Sequence, residues 1–372
     1  MKDFAGKTAV ITGGGTGMGR ELARQLAAEG CNVAMCDVSA KAMDETVRLI
    51  EADGKPQGAK VTTHIADVSL EAALIAFREE LAEQQQTDRI HLLFNNAGIA
   101  GGGSMIADSR ASWEKTFNVC WGGVYLGVRT FLPMLMAADE GHIVNTSSVN
   151  GFWATIGPNT SHTAYAAAKF AVKGFTEALV TDLRIHAPHI KCSVVMPGHI
   201  GTSIIANSRK VQAGVDSDDM SADELAQARA RLTAAGMDAA SVPDAAIQAM
   251  SAEMARSFLE DAPMTAAAAA RVILDGVRDE RWRILVGDDA MPWTNGCARI
   301  PNVPTSRSSS PTSPARSAGG SAASRRAAQP TSRRSNCRTA PDPRHQGSRP
   351  LIVRCRPGST SATGADPGRS SQ

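Results

Sequence analysis

The stretch AVITGGGTGMGRELA, residues 9–23, decides the fold. A short apolar run leads into five glycines, and apolar residues at helical spacing follow. Glycines between a strand and a helix permit a tight turn and a close approach to a pyrophosphate. The helix N-terminus adds free N–H groups and the positive end of a dipole. A dinucleotide-binding loop is therefore predicted, with a purely structural glycine turn as the alternative. Its candidate contacts are Gly13, Thr16, Gly17, Met18 and Gly19.

Outward from this loop, short apolar runs alternate with longer segments of helical periodicity. The runs are TAVIT, NVAMC, KVTTHI, IHLLFN, GHIVNTS, KCSVVMP and WRILVG. Strict alternation of strand and helix requires crossover connections, which place parallel strands side by side with helices on both faces. The sequence therefore predicts an α/β fold, a Rossmann-type doubly wound sheet of seven parallel strands within a domain over residues 1–287.

Two segments depart from this alternation. Residues 203–262 are helical in composition without a strand, and they predict a small helical substrate cap. Residues 288–372 are rich in Arg, Ser and Pro and predict a disordered tail. Residues 301–372 hold 12 Arg, no Lys and 2 Asp, a charge of +10 against +2 for the whole chain, which leaves −8 for the rest. A nucleic-acid-binding arm is one interpretation, which the missing aromatic residues disfavour. Out-of-frame translation from near residue 291 is the one we favour.

Composition narrows the class of protein. Hydrophobic residues make up 43% and charged residues 20%, as in soluble globular proteins, and no uncharged apolar run reaches the roughly 18 residues of a membrane span. The opening MKDFAGKTAV lacks the apolar core of a signal peptide, so we expect a cytoplasmic protein without a membrane partner. The 7 cysteines show no CxxC pair and no zinc-ligand spacing, so neither a metal centre nor a disulfide framework is predicted.

An acidic residue closes the second predicted strand. Asp37 lies 18 residues after Gly19, where a carboxylate can accept hydrogen bonds from the adenosine ribose and repel a 2′-phosphate. Thr16 is neutral and no Arg directly follows Asp37, so NAD is favoured over NADP. A helix cap or a solubilising surface group is the alternative for Asp37. After the third strand, Asp67 and Val68 are candidate contacts for the adenine.

The segment HTAYAAAKF, residues 162–170, places one of only 2 tyrosines four positions before a lysine. Residues i and i+4 share a helix face with Cβ atoms about 5–6 Å apart. An ordinary tyrosine pKa near 10 leaves too little phenolate for a base at neutral pH. A lysine charge about 5.5 Å away lowers that pKa by roughly 2 units at an effective dielectric near 20. We therefore expect Tyr165 to act as a general acid or base with its pKa lowered by Lys169; a solvated helix pair is the alternative.

Two further polar residues stand out. Ser148 follows the strand GHIVNTS, and the carboxyl ends of strands are where open α/β sheets bind ligands. We expect Ser148 to hydrogen-bond a substrate oxygen, with a turn cap as the alternative. Asn118 lies in a predicted helix among apolar residues, and a buried amide needs partners. We expect Asn118 to hold a water that relays protons to Lys169.

Together these residues resemble the short-chain dehydrogenase/reductase family over about residues 5–287. The motifs, in the family's order, are TGGGTGMG (12–19), DV (67–68), NNAG (95–98), Asn118, Ser148, YAAAK (165–169) and PGHIGT (197–202). The resemblance implies that Asn118, Ser148, Tyr165 and Lys169 are the catalytic set and that Lys169 also binds the nicotinamide ribose. It also implies cofactor contacts at Asn96, Ala97, Gly98, Pro197, Gly198, Ile200 and Thr202. His199 is expected to be a variable loop residue.

The same resemblance implies an NAD-dependent oxidoreductase that interconverts a secondary alcohol and a ketone as a homodimer or homotetramer. Ser148 and Tyr165 are 17 positions apart, more than is common in the family, so we expect an insertion that lines the pocket. Several apolar residues near the predicted pocket indicate an apolar substrate: Met105, Phe152, Trp153, Ile156, Ile204 and Ile205. The alternative is that these side chains only pack against the rest of the protein. Two alternatives stay open: an NAD-binding sensor or scaffold without turnover, and an epimerase or dehydratase on the same fold.

Overall fold

The computed structural model describes residues 1–155, 160–234 and 236–290. Ile156 and the predicted tail from residue 291 onward lie outside the described residues. The strands are β1 (Thr8–Thr12), β2 (Asn32–Asp37), β3 (Val61–Ile65), β4 (Leu92–Asn95), β5 (Gly141–Thr146), β6 (Ile190–Pro197), β7 (Ile200–Gly201), β8 (Met264–Thr265) and β9 (Arg283–Val286).

Seven of these strands form one sheet in the order β3-β2-β1-β4-β5-β6-β9. Every neighbouring pair is parallel, which confirms the predicted Rossmann-type sheet. Successive side chains of a strand point to opposite faces. Accordingly Val10 packs into one hydrophobic cluster and Ile11 into the other, so β1 is buried between two layers of helices.

Helices fill the connections as the periodicity predicted. They are α1 (Gly17–Ala28), α2 (Ala40–Asp53), α3 (Glu71–Gln85), α4 (Arg110–Phe117), α5 (Gly123–Met136), α6 (Thr163–His186), α7 (Ile204–Ala213), α8 (Ala222–Ala234), α9 (Asp244–Glu260) and α10 (Ala266–Arg278). In α1 the buried residues Leu22, Ala23, Leu26 and Ala27 follow the spacing of one helix face. Short 3-10 turns cover Val149–Gly151, Ala239–Ser241 and Asp288–Ala290.

The predicted helix around Asn118 is interrupted. A π-helical turn, Asn118–Gly122, separates α4 from α5. Single-turn π segments inside α-helices are frequently found at functional sites. Gly123 begins α5, and a Cβ at this position would lie only 2.6 Å from Val68 Cγ2. The close packing of α5 against the segment after β3 therefore depends on this glycine.

The segment predicted as a cap contains α7, α8 and α9 and none of the seven strands of the main sheet. One feature on its border was not predicted. β7 and β8 pair in parallel, with Ile200 opposite Met264 and Gly201 opposite Thr265. Two-residue strands show no periodicity, so nothing in the sequence indicated them.

One helical stretch is long and apolar enough to cross a membrane by length and composition. Among the described residues this stretch is Arg110–Met136, whose most apolar part has a mean hydropathy of 1.3 and is 56% buried inside the fold. The stretch includes α4, the π turn and α5, and α5 contributes Val128 and Phe131 to a hydrophobic cluster. Core helices of globular folds pass the same test, so the finding gives no support for a membrane partner.

His142 of β5 is buried with only one of its ring nitrogens bonded. Ser193 donates its hydroxyl proton to the Arg281 carbonyl at 2.6 Å, so His142 Nε2 must donate to Ser193 Oγ at 2.7 Å. Nδ1 of His142 is buried and has no partner within the described part of the chain. Burial, with smaller repulsion from the N-terminal ammonium and Lys191, lowers the pKa of His142 to about 3 from 6.5.

This histidine makes the fold sensitive to acid. The pKa of His142 is lower in the folded protein than in the unfolded chain. Between these two values the side chain is protonated in the unfolded chain and neutral in the folded protein. The free energy of unfolding then falls by up to about 1.4 kcal/mol per pH unit below roughly pH 6.5. We expect His142→Gln, which keeps a donor to Ser193, to flatten this dependence in urea unfolding between about pH 7 and pH 5. His186→Gln, whose side chain is 73% exposed, is the control. Equal slopes for parent and His142→Gln would contradict the assignment.

Candidate active site

The glycine loop between β1 and α1 lies at the carboxyl edge of the sheet. Gly13 has φ of +69°, and a Cβ there would lie 2.9 Å from Ala97 Cα. A Cβ on Gly19 would lie 2.0 Å from the Gly13 carbonyl oxygen. The backbone therefore packs too closely for side chains at these positions, which fits the predicted tight turn, whereas the contact with a pyrophosphate stays a prediction. Gly17 begins α1, and Met18 packs against a hydrophobic core cluster.

The N-terminus of α1 is open to an anion. Thr16 occupies the N-cap position, its side chain makes no capping bond, and the first turn contains no acidic residue. Thr16 Oγ1 instead accepts a hydrogen bond from Asn207 Nδ2 of α7 at 2.9 Å. The first N–H groups of a helix have no partner within the helix. Together with the glycine backbone, these groups fit the pyrophosphate of a dinucleotide.

Two residues that the motifs did not single out brace this loop. Arg20 donates to the Gly15 carbonyl from Nε at 3.0 Å and from Nη2 at 2.6 Å. Thr46 of α2 is fully buried, and its hydroxyl lies 3.1 Å from the Gly14 carbonyl oxygen and 3.2 Å from that of Gly15. No motif marks Thr46, because its contact depends on how α2 packs beneath the loop.

Asp37 lies beside the loop at the end of β2. Its carboxylate accepts hydrogen bonds from Gly15 N at 3.0 Å and from Ser39 N at 3.1 Å. Burial raises the pKa of Asp37, whereas these backbone donors and the Arg20 charge act in the opposite direction. Ser39 caps α2 with its own side chain, so the side chain of Asp37 is not the N-cap of that helix. The carboxylate therefore lies at the glycine loop, and its contact with the adenosine ribose stays a prediction.

Asp67 and Val68 follow β3 as predicted. Val68 is 4% exposed and packs in a hydrophobic cluster. Asp67 Oδ1 accepts hydrogen bonds from the backbone N–H of Ser69 at 2.9 Å and from its hydroxyl at 2.7 Å. The carboxylate therefore orders the turn before α3, and any contact of this pair with adenine stays a prediction.

The NNAG segment supports the strand ends. Thr12 Oγ1 accepts hydrogen bonds from the backbone N–H groups of Asn96 at 3.0 Å and Ala97 at 3.1 Å. The Asn96 side chain returns a bond to the Thr12 carbonyl at 3.1 Å. A Cβ on Gly98 would lie 3.6 Å from both Lys169 Nζ and Cys120 Sγ. The segment thus joins β1 to β4 and reaches the lysine.

The PGHIGT loop is anchored at both ends. Pro197 ends β6, Ile200 is buried in β7, and a Cβ on Gly17 would lie 3.1 Å from Thr202 Cγ2. His199 N donates to Asp289 Oδ2 at 2.7 Å, and His199 Nε2 donates to the Phe258 carbonyl of α9 at 2.8 Å.

His199 therefore fastens the loop to the cap. Asp289 lies beyond the predicted domain boundary at 287, and a Cβ on Gly198 would lie 2.2 Å from Asp289 Oδ1. The last described turn is thus part of this loop's packing, a contact that local sequence does not show.

Tyr165 and Lys169 are brought to the carboxyl end of β5. Lys169 is 2% exposed, and its Nζ donates to the Thr146 carbonyl at 2.9 Å. Nζ also lies 5.3 Å from the centroid of the Tyr165 ring. Ser147 Oγ donates to the Lys169 carbonyl at 2.7 Å. The tyrosine and lysine are therefore neighbours in a fixed geometry, not a solvated helix pair.

Ser148 fits both interpretations offered for it. It is the N-cap of the turn Val149–Gly151, and its Oγ accepts from Asn150 N at 3.1 Å. It also hydrogen-bonds to the phenol, and that bond lowers the pKa of Tyr165. The hydroxyl also donates to Asn150 Oδ1 over a long 3.4 Å, a bond that a closer acceptor can replace because the hydroxyl rotates. Ser148 can therefore cap the turn and also face a reacting oxygen.

The expected net direction of the Tyr165 pKa was wrong. Burial raises the pKa above 10.0, and this effect exceeds the lowering by the Lys169 charge and by the Ser148 hydrogen bond; Cys120 raises it further. The spacing of the two residues reveals the lysine charge but not the desolvation of the phenol, which disfavours the phenolate. The chain's own residues therefore keep Tyr165 protonated at neutral pH.

The expectation of a buried Asn118 amide was also wrong. Asn118 is exposed, and its side chain has no hydrogen-bond partner among the described residues. The buried residues of this turn are Val119 and Cys120, and Cys120 Sγ donates to the Ile99 carbonyl at 3.2 Å. An apolar neighbourhood in sequence did not reveal which side of the turn faces out. A proton relay through Asn118 remains a prediction.

Three of the apolar residues proposed for the pocket lie in different surroundings. Phe152 packs between two cations, with Lys173 Nζ 5.7 Å and the Arg283 guanidinium 5.3 Å from its ring centroid. Met105 is 71% exposed, and Ile204 begins α7. These positions support the packing alternative for Phe152. Across the described residues, no group of three or more His, Cys, Asp or Glu is placed to hold a metal ion.

Comparison with known proteins defines the class. The family model for short chain dehydrogenase matches residues 7–213. SadH of Mycobacterium tuberculosis is 38% identical over 208 residues, 56% of this chain and 72% of SadH. Levodione reductase of Leifsonia aquatica is 33% identical over 225 residues, 60% of this chain and 80% of that enzyme.

A solved structure agrees. A short-chain dehydrogenase/reductase from Burkholderia phymatum in complex with NAD aligns with a TM-score of 0.61 at 30% identity, covering 78% of this chain and 91% of that chain. The chain belongs to the short-chain dehydrogenase/reductase family of oxidoreductases. The sheet and glycine loop described above are therefore those of a nucleotide-binding Rossmann fold.

The glycine packing gives a stability test. We expect Gly19→Ala to lower the free energy of unfolding by about 1–3 kcal/mol, because the new Cβ meets backbone that cannot move aside freely. Gly174→Ala in α6 is the matched control, since a Cβ there meets no atom within 4 Å. That control should change stability by less than about 1 kcal/mol, in the stabilising direction. Chemical denaturation of both variants measures the difference, and equal stabilities would contradict the close packing.

Proposed function

We propose that this protein is a cytoplasmic, NAD-dependent oxidoreductase that interconverts a secondary alcohol and a ketone, with Tyr165 as the general acid or base. The observation that carries the proposal is the contact of Tyr165 with both Ser148 and Lys169 at the carboxyl end of β5. Ligands of open α/β sheets bind at this edge. The names of relatives support the reaction type, since one is a levodione reductase and another a meso-2,3-butanediol dehydrogenase.

The chain's residues divide the chemistry among them. Ser148 donates to the substrate oxygen and orients it towards the phenol. Tyr165, protonated because burial raises its pKa, donates a proton to that oxygen when a ketone is reduced. Lys169 holds its charge near the phenol and stabilises the phenolate that remains. The bound dinucleotide supplies the hydride.

Residues at the loop would hold the dinucleotide. The α1 N-terminus and the glycine backbone suit its pyrophosphate, and Asp37 suits the adenosine ribose. Asp37 already lies within 3.0 Å of Gly15 N, so its carboxylate occupies the space beside the loop. A 2′-phosphate there meets this negative charge, which supports NAD over NADP.

We also propose that the protein works as a homodimer or homotetramer. Apolar side chains on α5 and α6 support this arrangement, because Tyr125 is 43% and Phe170 is 44% exposed. Tyr125 and Trp121 of the preceding turn both contact Phe175 of α6, so the two helices present one aromatic surface. A second copy would remove this apolar surface from water.

Replacement of the tyrosine tests the mechanism. We expect Tyr165→Phe to lower kcat by at least about a hundredfold, because the general acid is lost while the ring packing stays. The second tyrosine provides the control, and we expect Tyr125→Phe to change kcat by less than about twofold. A panel of secondary alcohols and ketones, followed by the absorbance of NADH, gives both values. Undiminished turnover by Tyr165→Phe would rule out the assignment.

Replacement of Asp37 tests the cofactor preference. We expect Asp37→Ser to lower the ratio of kcat/KM for NAD over NADP by at least about tenfold, since a like-charge contact is removed. The Arg20 charge, which now acts on Asp37, would then face the 2′-phosphate. Asp44→Asn on the exposed side of α2 is the control and should leave the ratio unchanged. A parent protein that already prefers NADP would overturn the role of Asp37 alone.

A further inference from the structure

His162 lies on the same side of α6 as the tyrosine and lysine. It occupies the N-cap position of α6, three residues before Tyr165 and seven before Lys169. Residues at these intervals share one helix face. The contacts follow this order, since the His162 ring centroid lies 4.8 Å from that of Tyr165, with Lys169 Nζ at 5.3 Å from the same ring. The ammonium group of Lys169 and the imidazole of His162 therefore both lie near the Tyr165 ring.

The lysine side of the phenol is closed by protein. Lys169 is 2% exposed and bonded to the Thr146 carbonyl. Cys120 is also fully buried. Its Sγ and the Lys169 Nζ each lie 3.6 Å from the position that a Cβ on Gly98 would occupy, so the two side chains are close to each other. The side chains of Tyr165 and His162, by contrast, are only partly buried. A substrate whose oxygen bonds to Tyr165 and Ser148 can therefore also contact the His162 ring, 4.8 Å from that of the tyrosine.

The position of His162 is fixed by its neighbour in the chain. Thr163 donates to the Gly103 carbonyl from its backbone N–H and from its hydroxyl, both at 2.9 Å. Trp113 Nε1 donates to Thr163 Oγ1 at 3.0 Å. Two hydrogen bonds thus anchor the first turn of α6 to the loop after β4, and a third anchors it to α4. Such supporting contacts hold a binding side chain in a productive geometry.

The chemistry of His162 suits an uncharged oxygen. Burial lowers the pKa of His162, so the ring is neutral at pH 7 and offers one donor and one acceptor nitrogen. Neither nitrogen has a hydrogen-bond partner within the described residues, although the ring is partly buried. A polar ring in this position gains most from a ligand that supplies the missing bond.

We propose that His162 is a specificity-determining residue that binds a second hydroxyl or carbonyl oxygen of the substrate, one or two carbons from the reacting centre. The substrate class is then diols, hydroxyketones and diketones, in preference to alcohols and ketones with a single oxygen. This inference rests on the proposed function, because it assumes that the reacting oxygen meets Tyr165.

The test compares two alcohols that differ by one hydroxyl, 2,3-butanediol and 2-butanol, with NAD as the oxidant. We expect the parent to have the higher kcat/KM for the diol. His162→Phe keeps a ring against Tyr165 and loses the hydrogen bond, so kcat/KM for the diol should fall by at least about fivefold and that for 2-butanol by less than about twofold. His162→Gln retains a donor and an acceptor and should recover part of the diol activity. His186→Phe, at the far end of α6, is the control and should match the parent.

The outcomes separate this inference from the proposed function. Oxidation of 2-butanol without a preference for the diol would overturn the role of His162 and leave the proposed reaction intact. Equal losses for both alcohols in His162→Phe would also overturn it, because they would show only packing against Tyr165. A parent that oxidises neither these alcohols nor any member of the wider panel, while NADH fluorescence shows that it binds the cofactor, would refute the proposed function and this inference with it.

Discussion

The hydrogen bond from Lys169 Nζ to the Thr146 carbonyl, 2.9 Å long, is the contact on which the site depends. A buried ammonium group needs polar partners, or its desolvation would outweigh the packing around it. Thr146 is the last residue of β5, a strand paired on both sides within the sheet. The bond therefore ties α6 to the carboxyl edge, and Ser147 reinforces it by donating to the Lys169 carbonyl. Tyr165 is one turn earlier on the same helix, and Ser148 lies two residues beyond the same carbonyl.

Most of the fold could be predicted because parallel strands buried on both faces appear as continuous apolar runs. β1 shows why, since all five of its residues are buried and the central three, Ala9, Val10 and Ile11, are apolar. The π turn at Asn118–Gly122 could not be predicted, because its residues are compatible with an ordinary helix. The pairing of β7 with β8 also left no trace, since it depends on contacts between segments separated by the whole cap.

The sequence predicted which residues lie together at the site better than it predicted their burial and pKa values. Tyr165 and Lys169 were found because one helix turn fixes their distance whatever the fold. The pKa of Tyr165 was misjudged because desolvation depends on packing from several elements, which spacing does not contain. For the same reason Arg20 and Thr46, which hold the glycine loop from beneath, were missed.

The alanines around the tyrosine explain both the success and the error. Ala164 and Ala168 are fully buried and Ala166 is 5% exposed, so α6 packs closely on this side. Close packing reduces the contact of the phenol with water, which strengthens the attraction between Lys169 and a phenolate and at the same time makes the phenolate costlier to form. The second effect exceeds the first in the chain alone, so the phenol stays protonated. Small side chains next to Tyr165 therefore adapt it to donating a proton, and a further positive charge beside the ring is what would shift it towards accepting one.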